Sequence, residues 1–531
     1  MADNIIHAKN TFSNFRNLNM YDYQYDTVKK VLKSDAKYIF INAPTGSGKS
    51  LIGACLCETY DRTAYLVHSK SLQQQLQSDF PEFKILMGRS NYECIESNGN
   101  PLNCAQCKFS DQTKCPSKHG CIYKIEKNKA VHAHLRGLNY AYMFAEANNV
   151  GYFSNQDSII CDEADTLEPE LLSSIRLTIS ERMMDKYELP PIPCQTTGSK
   201  DAKVEWAGVD KWIIWAEAAM DKLLIHERIL SNKIESAEES HQEVDEYILK
   251  RQKQLQNTIN RLKLFLKHVD HKWLLDTNDG KFGKTHEFTP TWLTPELSEG
   301  FFFRYGEKFI MMSATLMNHR AMCHVLGIDI DESEYISIPS TFPIKYRPIY
   351  TDAVGDLSAK TYDRDIPLII EEIKRLMAKH PNEKGLIHTF NYKISKRIMD
   401  EIWADRLITH DGSNKIEQIK LFNKSDKPLV MVSPSMDRGV SLNDDLCRFI
   451  IQAKCPFKYL GNKQTQARMY SGSMGKLWYK SDAIQTLEQA AGRGMRWAGD
   501  SCAVYIIDKA AERLIFDNLG LFSEYFVDCL V

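Results

Sequence analysis

The chain reads as an α/β protein with two parallel-sheet lobes, and three observations lead there. An apolar run beginning at Tyr38 passes into the glycine-rich APTGSGKS, Ala43 to Ser50, and then into an apolar stretch of helical length. A second apolar run, SIICDEAD, ends in an acidic box at Cys161 to Asp165. From Arg347 onward, short runs (RPIYTD, KGLIHTF, PLVMVSP, RFIIQAK and CAVYIID) alternate with helical stretches. Strands that alternate with helices along a chain pair in parallel and carry helices on both faces.

A chain of 531 residues exceeds what one hydrophobic core supports. Hydrophobic residues at 43% and charged residues at 26% fit a soluble globular protein. A net charge of −2 excludes a global pull toward nucleic acid, so any such contact rests on local basic grooves. The opening MADNIIHAKN lacks the basic-then-apolar layout of a secretory signal. No run of about 18 apolar residues occurs, so no membrane partner is expected. Fourteen cysteines without such a signal point to a reducing, cytoplasmic setting, and a monomer is expected.

The first lobe should hold a strand near Lys37 to Asn42, the glycine-rich loop, and a helix from Leu51 to about Tyr60. Backbone N–H groups of such a loop and of the helix start cradle phosphate. The candidates are Thr45, Gly46, Ser47, Gly48, Lys49 and Ser50. The glycines allow close backbone approach, Lys49 brings its ammonium to the terminal phosphates of ATP, and Ser50 ligates Mg²⁺. A plain glycine turn is the alternative. In the acidic box, Asp162 is expected to hold Mg²⁺ and Glu163 to orient and deprotonate water. The alternative there is a solvated acidic loop.

Upstream, YDYQYD puts Gln24 just before the first core helix, where its amide has the donor and acceptor needed to read both edges of adenine. Near the far end, QAAGRGMRW carries Gln489, Arg493 and Arg496, which share one face if the run is helical. Permanently charged guanidinium groups there can reach a transferring phosphate across a cleft.

Together APTGSGKS, CDEAD, MSATL (Met312 to Leu316) and QAAGRGMR resemble motifs I, II, III and VI of superfamily-two helicases. GRSNYEC, STFPIKYRPIY and KGLIHTF look like the DinG/XPD branch of iron–sulfur helicases. The resemblance runs from Gln24 to Arg496 and implies two RecA-like motor domains with an inserted iron–sulfur domain and a helical arch. It also implies ATP-dependent 5′ to 3′ movement on single-stranded DNA and separation of partial duplexes. Two departures stand out. The box ends in Asp165 where the branch usually has histidine, and motif V reads Arg438, Gly439, Val440, Ser441. Asp437 is the neighbouring carboxylate that would serve motif V, with Gly439 beside the nucleotide.

Five cysteines, Cys94, Cys104, Cys107, Cys115 and Cys121, crowd into positions 94 to 121, between the phosphate loop and the box. CPSKHGCIY resembles the last ligand pair of the DinG group, which implies a [4Fe–4S] cluster on Cys94, Cys107, Cys115 and Cys121, with Cys104 the alternate. Zinc is the rival, although the short knuckle spacing occurs here at Cys104 and Cys107 alone.

The resemblance divides the chain into a first motor domain (1–88, 135–175 and 297–338), a cluster domain (89–134), an arch-like insertion (176–296) and a second motor domain (339–531). Within the insertion, Val244, Ile248, Leu255, Ile259, Leu262, Leu266 and Val269 form one apolar stripe, predicting a helix from Ser236 to Val269. A DNA strand is expected to cross Ser69, Lys70 and Ser71, then His388 and Thr389. The aromatic and basic segment Phe457 to Lys480 could also line the groove, with a solvated loop as the alternative. The rival functions are an ATP-gated single-strand clamp without unwinding, and an RNA helicase, since DEAD is spelled out in full.

Overall fold

The computed structural model describes residues 2–95, 103–104, 119–195, 205–206, 208–240, 244–280, 283–403, 405–436, 442 and 444–531. Eighteen strands are described. In the first half they are β1 (Tyr38–Asn42), β2 (Thr63–Val67), β3 (Lys84–Ile85), β4 (Leu135–Asn139), β5 (Gln156–Asp162), β6 (Leu177–Ser180), β7 (Cys194–Gln195), β8 (Glu205–Trp206) and β9 (Trp273–Gly280). In the second half they are β10 (Gly283–Pro290), β11 (Gly306–Ser313), β12 (Ser333–Ser337), β13 (Ile349–Tyr350), β14 (Gly385–His388), β15 (Leu407–Thr409), β16 (Val430–Ser433), β17 (Phe449–Gln452) and β18 (Ala503–Ile506).

The first lobe is a seven-stranded sheet in the order β12-β1-β11-β5-β2-β4-β3, parallel throughout. Strands β1 and β2 are buried at every position, as expected of strands covered by helices on both faces. This order has a chemical consequence. β11 lies between β1 and β5, so the phosphate loop, Ser313–Ala314–Thr315 and the acidic box leave the sheet side by side at its carboxyl edge. That edge is where ligands bind in open α/β sheets.

The second lobe is a six-stranded sheet in the order β13-β18-β17-β14-β16-β15, again parallel. Leu386, Met431 and Ile450 pack on one side, and Ile387, Val432 and Ile451 on the other.

Inserted in the first lobe's sequence between β5 and β11, β6, β10 and β9 form an antiparallel sheet under two long helices, Val209–Glu239 and Glu246–His268. The single helix expected from Ser236 is thus two. The second starts after Asp245, whose side chain accepts from the N–H of Tyr247. Leu255, Ile259 and Leu262 of the stripe are fully buried, as the periodicity requires. Phe288 of β10 gathers Trp212, Trp215 and Phe265 at 5.3, 5.3 and 5.0 Å, tying both helices to the sheet.

Candidate nucleotide site between the lobes

Gly46 and Gly48 adopt φ of +81° and +76°, a region that L side chains rarely occupy. A Cβ on Gly46 would lie 2.2 Å from Phe342 Cζ, and one on Gly48 2.3 Å from Gln24 Nε2. Gly48 starts the helix Lys49–Thr59, so the expected loop-to-helix cradle is present. Gln24 lies within the helix Asp22–Lys33 rather than before it, and is 4% exposed. Its Nε2 donates to the Ser47 carbonyl at 2.9 Å, and its Oε1 accepts from the Tyr21 N–H at 3.0 Å. Both ends of the amide that was to read adenine are therefore engaged by protein. Tyr23 Oη donates to the same Ser47 carbonyl at 3.1 Å.

Across the site, the Tyr65 hydroxyl donates to Asp162 Oδ2 at 2.9 Å and also interacts with the Ser50 hydroxyl. One tyrosine thus brings together the two residues expected to hold Mg²⁺. Burial, and then the adjacent Glu163, push the Asp162 carboxyl up, while Lys49 pulls it down. A buried carboxylate crowded by a second one suits a divalent cation between protein and phosphate, so these residues fit Mg²⁺. Glu163 sits at φ +53°, a left-handed conformation unusual for a residue with a side chain.

A cavity of about 160 Å³ joins the lobes. Thr45, Lys49, Glu163 and Thr315 line it from the first lobe, and Gln489, Arg493 and Arg496 from the second. These last three do not share one helix. The helix Ser473–Ala491 ends after Gln489, Arg493 lies in the short turn Gly492–Gly494, and Arg496 follows it. They converge nonetheless, with Arg496 beside Glu163 and Asp500.

The helix Ser473–Ala491 also grips the first lobe by hydrogen bonds. Gln485 Nε2 donates to the Thr315 carbonyl at 2.6 Å, and Gln489 Nε2 to Asp165 Oδ2 at 2.8 Å. The other Asp165 oxygen accepts from Ser313 Oγ at 2.6 Å. Tyr525 Oη adds a bond to the Ala314 carbonyl at 2.8 Å. Sequence reasoning missed Gln485 and Tyr525. Gln485 stands four residues before Gln489 and so shares its face, a signal that was available. Tyr525 lies in a short helix, Glu524–Val527, with no local pattern to mark it.

The expected strand path fares unevenly. Lys70 and Ser71 are exposed, and Ser69 caps the helix Lys70–Asp79. His388 and Thr389 are fully buried and cannot touch a strand as the structure stands. Burial, and then Arg493, lower His388 to about 3, so its ring is neutral. In the segment Phe457 to Lys480, Trp478 and Arg468 are buried, Lys458 pairs with Asp482, and Lys463 pairs with Asp276. Tyr459 and Tyr470 remain exposed.

Among the thiols, Cys107 and Cys115 lie outside the described residues, as do Asp437 and Gly439 of motif V. Cys94 and Cys121 are half-buried, and Cys104 is buried. An antiparallel Glu93–Asn103 bridge sets Cys104 opposite Tyr92, with the Cys104 N–H donating to the Tyr92 carbonyl at 2.8 Å. Cys121 opens the helix Ile122–His132. Among the described residues, no group of three or more His, Cys, Asp or Glu is assembled for a metal. The thiols of Cys94, Cys104 and Cys121 match the donor type of an iron–sulfur group.

Residues 17–177 match the family described as type III restriction enzyme, res subunit, and residues 373–515 match the Helicase C-terminal domain. The solved structure named "XPD_Helicase" has a TM-score of 0.60 at 15% identity, covering 96% of this chain and 98% of its own. S. tokodaii Xpd4 gives 0.58 at 14% identity, covering 96% and 100%. No curated protein sequence matches the chain. Among the described residues, no helix is long and apolar enough to cross a membrane. With its nucleotide residues gathered between two parallel-sheet lobes, the chain carries the matched helicase C-terminal domain and shares the fold of the solved XPD helicases.

Proposed function

We propose that this helicase moves 5′ to 3′ along single-stranded DNA and separates duplexes at a domain stapled by a [4Fe–4S] cluster. The observation that carries the motor part is the grip of Gln485 and Gln489 on Thr315 and Asp165. It makes the distance between the lobes depend on the loops that surround the nucleotide.

ATP is the substrate. Lys49 opposes the charge of its terminal phosphates, and the loop N–H groups fix its position. Ser50 and Asp162 would hold Mg²⁺, which neutralises charge on the phosphate oxygens when bound. Glu163 takes the proton of the attacking water. Arg493 and Arg496 face the same cavity from the second lobe and stabilise charge on the transferring group. Once phosphate leaves, that attraction is lost and the cleft relaxes, which turns hydrolysis into relative movement of the lobes.

Cys94, Cys107, Cys115 and Cys121, with Cys104 as the alternate, would hold the cluster, which supplies a rigid cross-link when bound. The helix Ile122–His132 then connects that domain to β4 through Arg136, whose guanidinium donates to the Val131 carbonyl at 3.0 Å and the Thr63 carbonyl at 3.0 Å.

Partial duplexes with a 5′ or a 3′ single-stranded tail, offered with ATP, test this reading against Lys49→Ala. Displacement from the 5′ tail alone, absent in the variant, is expected. Strand-stimulated hydrolysis without displacement would favour a clamp, and displacement confined to RNA would reassign the substrate. Cys121→Ser should lower iron content and unwinding while leaving ATP hydrolysis in place.

A further inference from the structure

Arg468 belongs to the second-lobe helix Lys463–Met469, yet its guanidinium is committed to the other side of the cleft. Its Nε donates to the Thr291 carbonyl at 2.6 Å, and one terminal nitrogen donates to Glu168 Oε1 at 2.6 Å. Trp292 and Trp478 flank it, with centroids 4.6 and 5.1 Å from the guanidinium carbon, and the two indoles meet edge-on at 5.4 Å. Arg468 is buried and Glu168 is partly so, with side chains 5% and 14% exposed, whereas the neighbouring Lys463–Asp276 pair is largely exposed.

The two ends of this pair stand in informative places. Glu168 is in the first turn of the helix Leu167–Ile175, three residues beyond Asp165 of the acidic box. The helix carrying Arg468 is bracketed by Tyr459 and Tyr470, which are 82% and 66% exposed. Its other bonds also cross to the insertion: Lys463 Nζ to the Leu275 carbonyl and Gln464 Nε2 to the Pro290 carbonyl. Trp292 Nε1 answers from the insertion by donating to Ser471 Oγ.

A planar guanidinium packed against two indoles and hydrogen-bonded on two sides has its orientation fixed, and lysine cannot reproduce it. With the guanidinium buried, a carboxylate that moves away leaves a charge that water reaches poorly, which favours two discrete arrangements, contact made or contact broken. Exposed tyrosines at both ends of the helix offer faces on which bases can stack.

We propose that Arg468 and Glu168 form a coupling clamp that passes the state of the acidic box to the helix Lys463–Met469 and to a nucleic-acid strand stacked on Tyr459 and Tyr470. The clamp rests on the helicase reading above. Arg468 and Glu168 are positioning residues, since the clamp needs neither of them to touch nucleotide or strand.

The test uses the full chain with Glu168→Gln, Arg468→Lys and the double variant. ATP turnover is measured with and without oligodeoxythymidine, strand affinity is measured by anisotropy with and without a non-hydrolysable ATP analogue, and melting temperature is recorded. Each single variant should keep its strand-independent turnover and lose strand stimulation by at least about tenfold, within the usual range of coupling between sites. The double variant should be no worse than either single one, and strand affinity should cease to respond to the analogue. A uniform fall of basal and stimulated turnover with a lower melting temperature overturns the clamp and leaves a structural strut. Intact stimulation in both single variants overturns it as well. A wild-type chain whose turnover ignores nucleic acid overturns the helicase reading and the clamp with it.

Discussion

Gln489 and Asp165 face each other across the lobe cleft, with the amide Nε2 donating to carboxylate Oδ2 at 2.8 Å. Ser313 holds the second oxygen at 2.6 Å, so one buried carboxylate ties the acidic box, the loop after β11 and the second lobe together. This gives the departure at Asp165 a physical role. The aspartate is an acceptor for donors arriving from two sides.

Asp165→Ala removes that acceptor from both donors. Hydrogen bonds to charged groups contribute about 1.5–3 kcal/mol, so if one of them is spent on closure, kcat/KM for ATP falls about 10- to 100-fold. Asp165→Asn should recover most of the loss, because Gln489 can flip its amide and present its otherwise unbonded Oε1 to the new Nδ2. Steady-state phosphate release on the two variants checks this. Equal damage from both would mean that charge, not acceptor geometry, is what the site needs.

Gln24 is a support of the phosphate loop in this structure. Gln24→Ala should therefore lower kcat/KM for ATP and for GTP by similar factors, about 5- to 20-fold for one lost buried hydrogen bond and a loosened loop. A loss confined to ATP, measured in parallel nucleotide titrations, would restore the base-reading role that its residue type suggested.

The motor lobes were legible in the sequence because their signals are local. Strands such as Tyr38–Asn42 and Val430–Ser433 are continuous apolar runs, and the phosphate loop needs its glycines at fixed positions. What was hidden is what depends on distant contacts. His388 ends a strand as expected, but the helix that roofs it lies about a hundred residues later in sequence, so its burial leaves no local trace. Arg468 and Trp478 looked like groove residues for the same reason, since amphipathic side chains suit a wet groove and a packed interface equally well. The break before Glu246 escaped because the apolar stripe begins at Val244, before its helix does.

Gly46→Ala separates two costs at one position. A Cβ there meets Phe342 Cζ at 2.2 Å and the Arg496 carbonyl at 3.3 Å, and φ of +81° adds about 1–2 kcal/mol of backbone strain. Binding of a fluorescent ATP analogue should be weakened at least about tenfold, since the loop must shift to admit the methyl group. Adding Phe342→Ala relieves the ring contact and not the strain, so the double variant should recover binding in part. Full recovery would show that the left-handed backbone is not required for nucleotide contact.

Glu488 is buried behind the cleft, where it accepts from the Ser523 N–H at 2.8 Å and the Ser523 hydroxyl at 2.6 Å. Burial pushes its carboxyl from 4.5 to about 7, with the serine bonds opposing the shift. The sign follows from proton counting. Between these two values the folded chain binds the proton more tightly than the unfolded chain, so the contribution of Glu488 is complete below pH 4.5 and is lost as pH rises through 7. Two to three pH units of separation correspond to about 3 kcal/mol. Glu488→Gln keeps an acceptor for Ser523 and cannot ionise. Its unfolding free energy in urea should therefore decline less than that of wild type between pH 4.5 and 8, the gap between the two curves opening with pH. Parallel profiles would mean that Glu488 stays charged inside the fold or reaches solvent when it ionises.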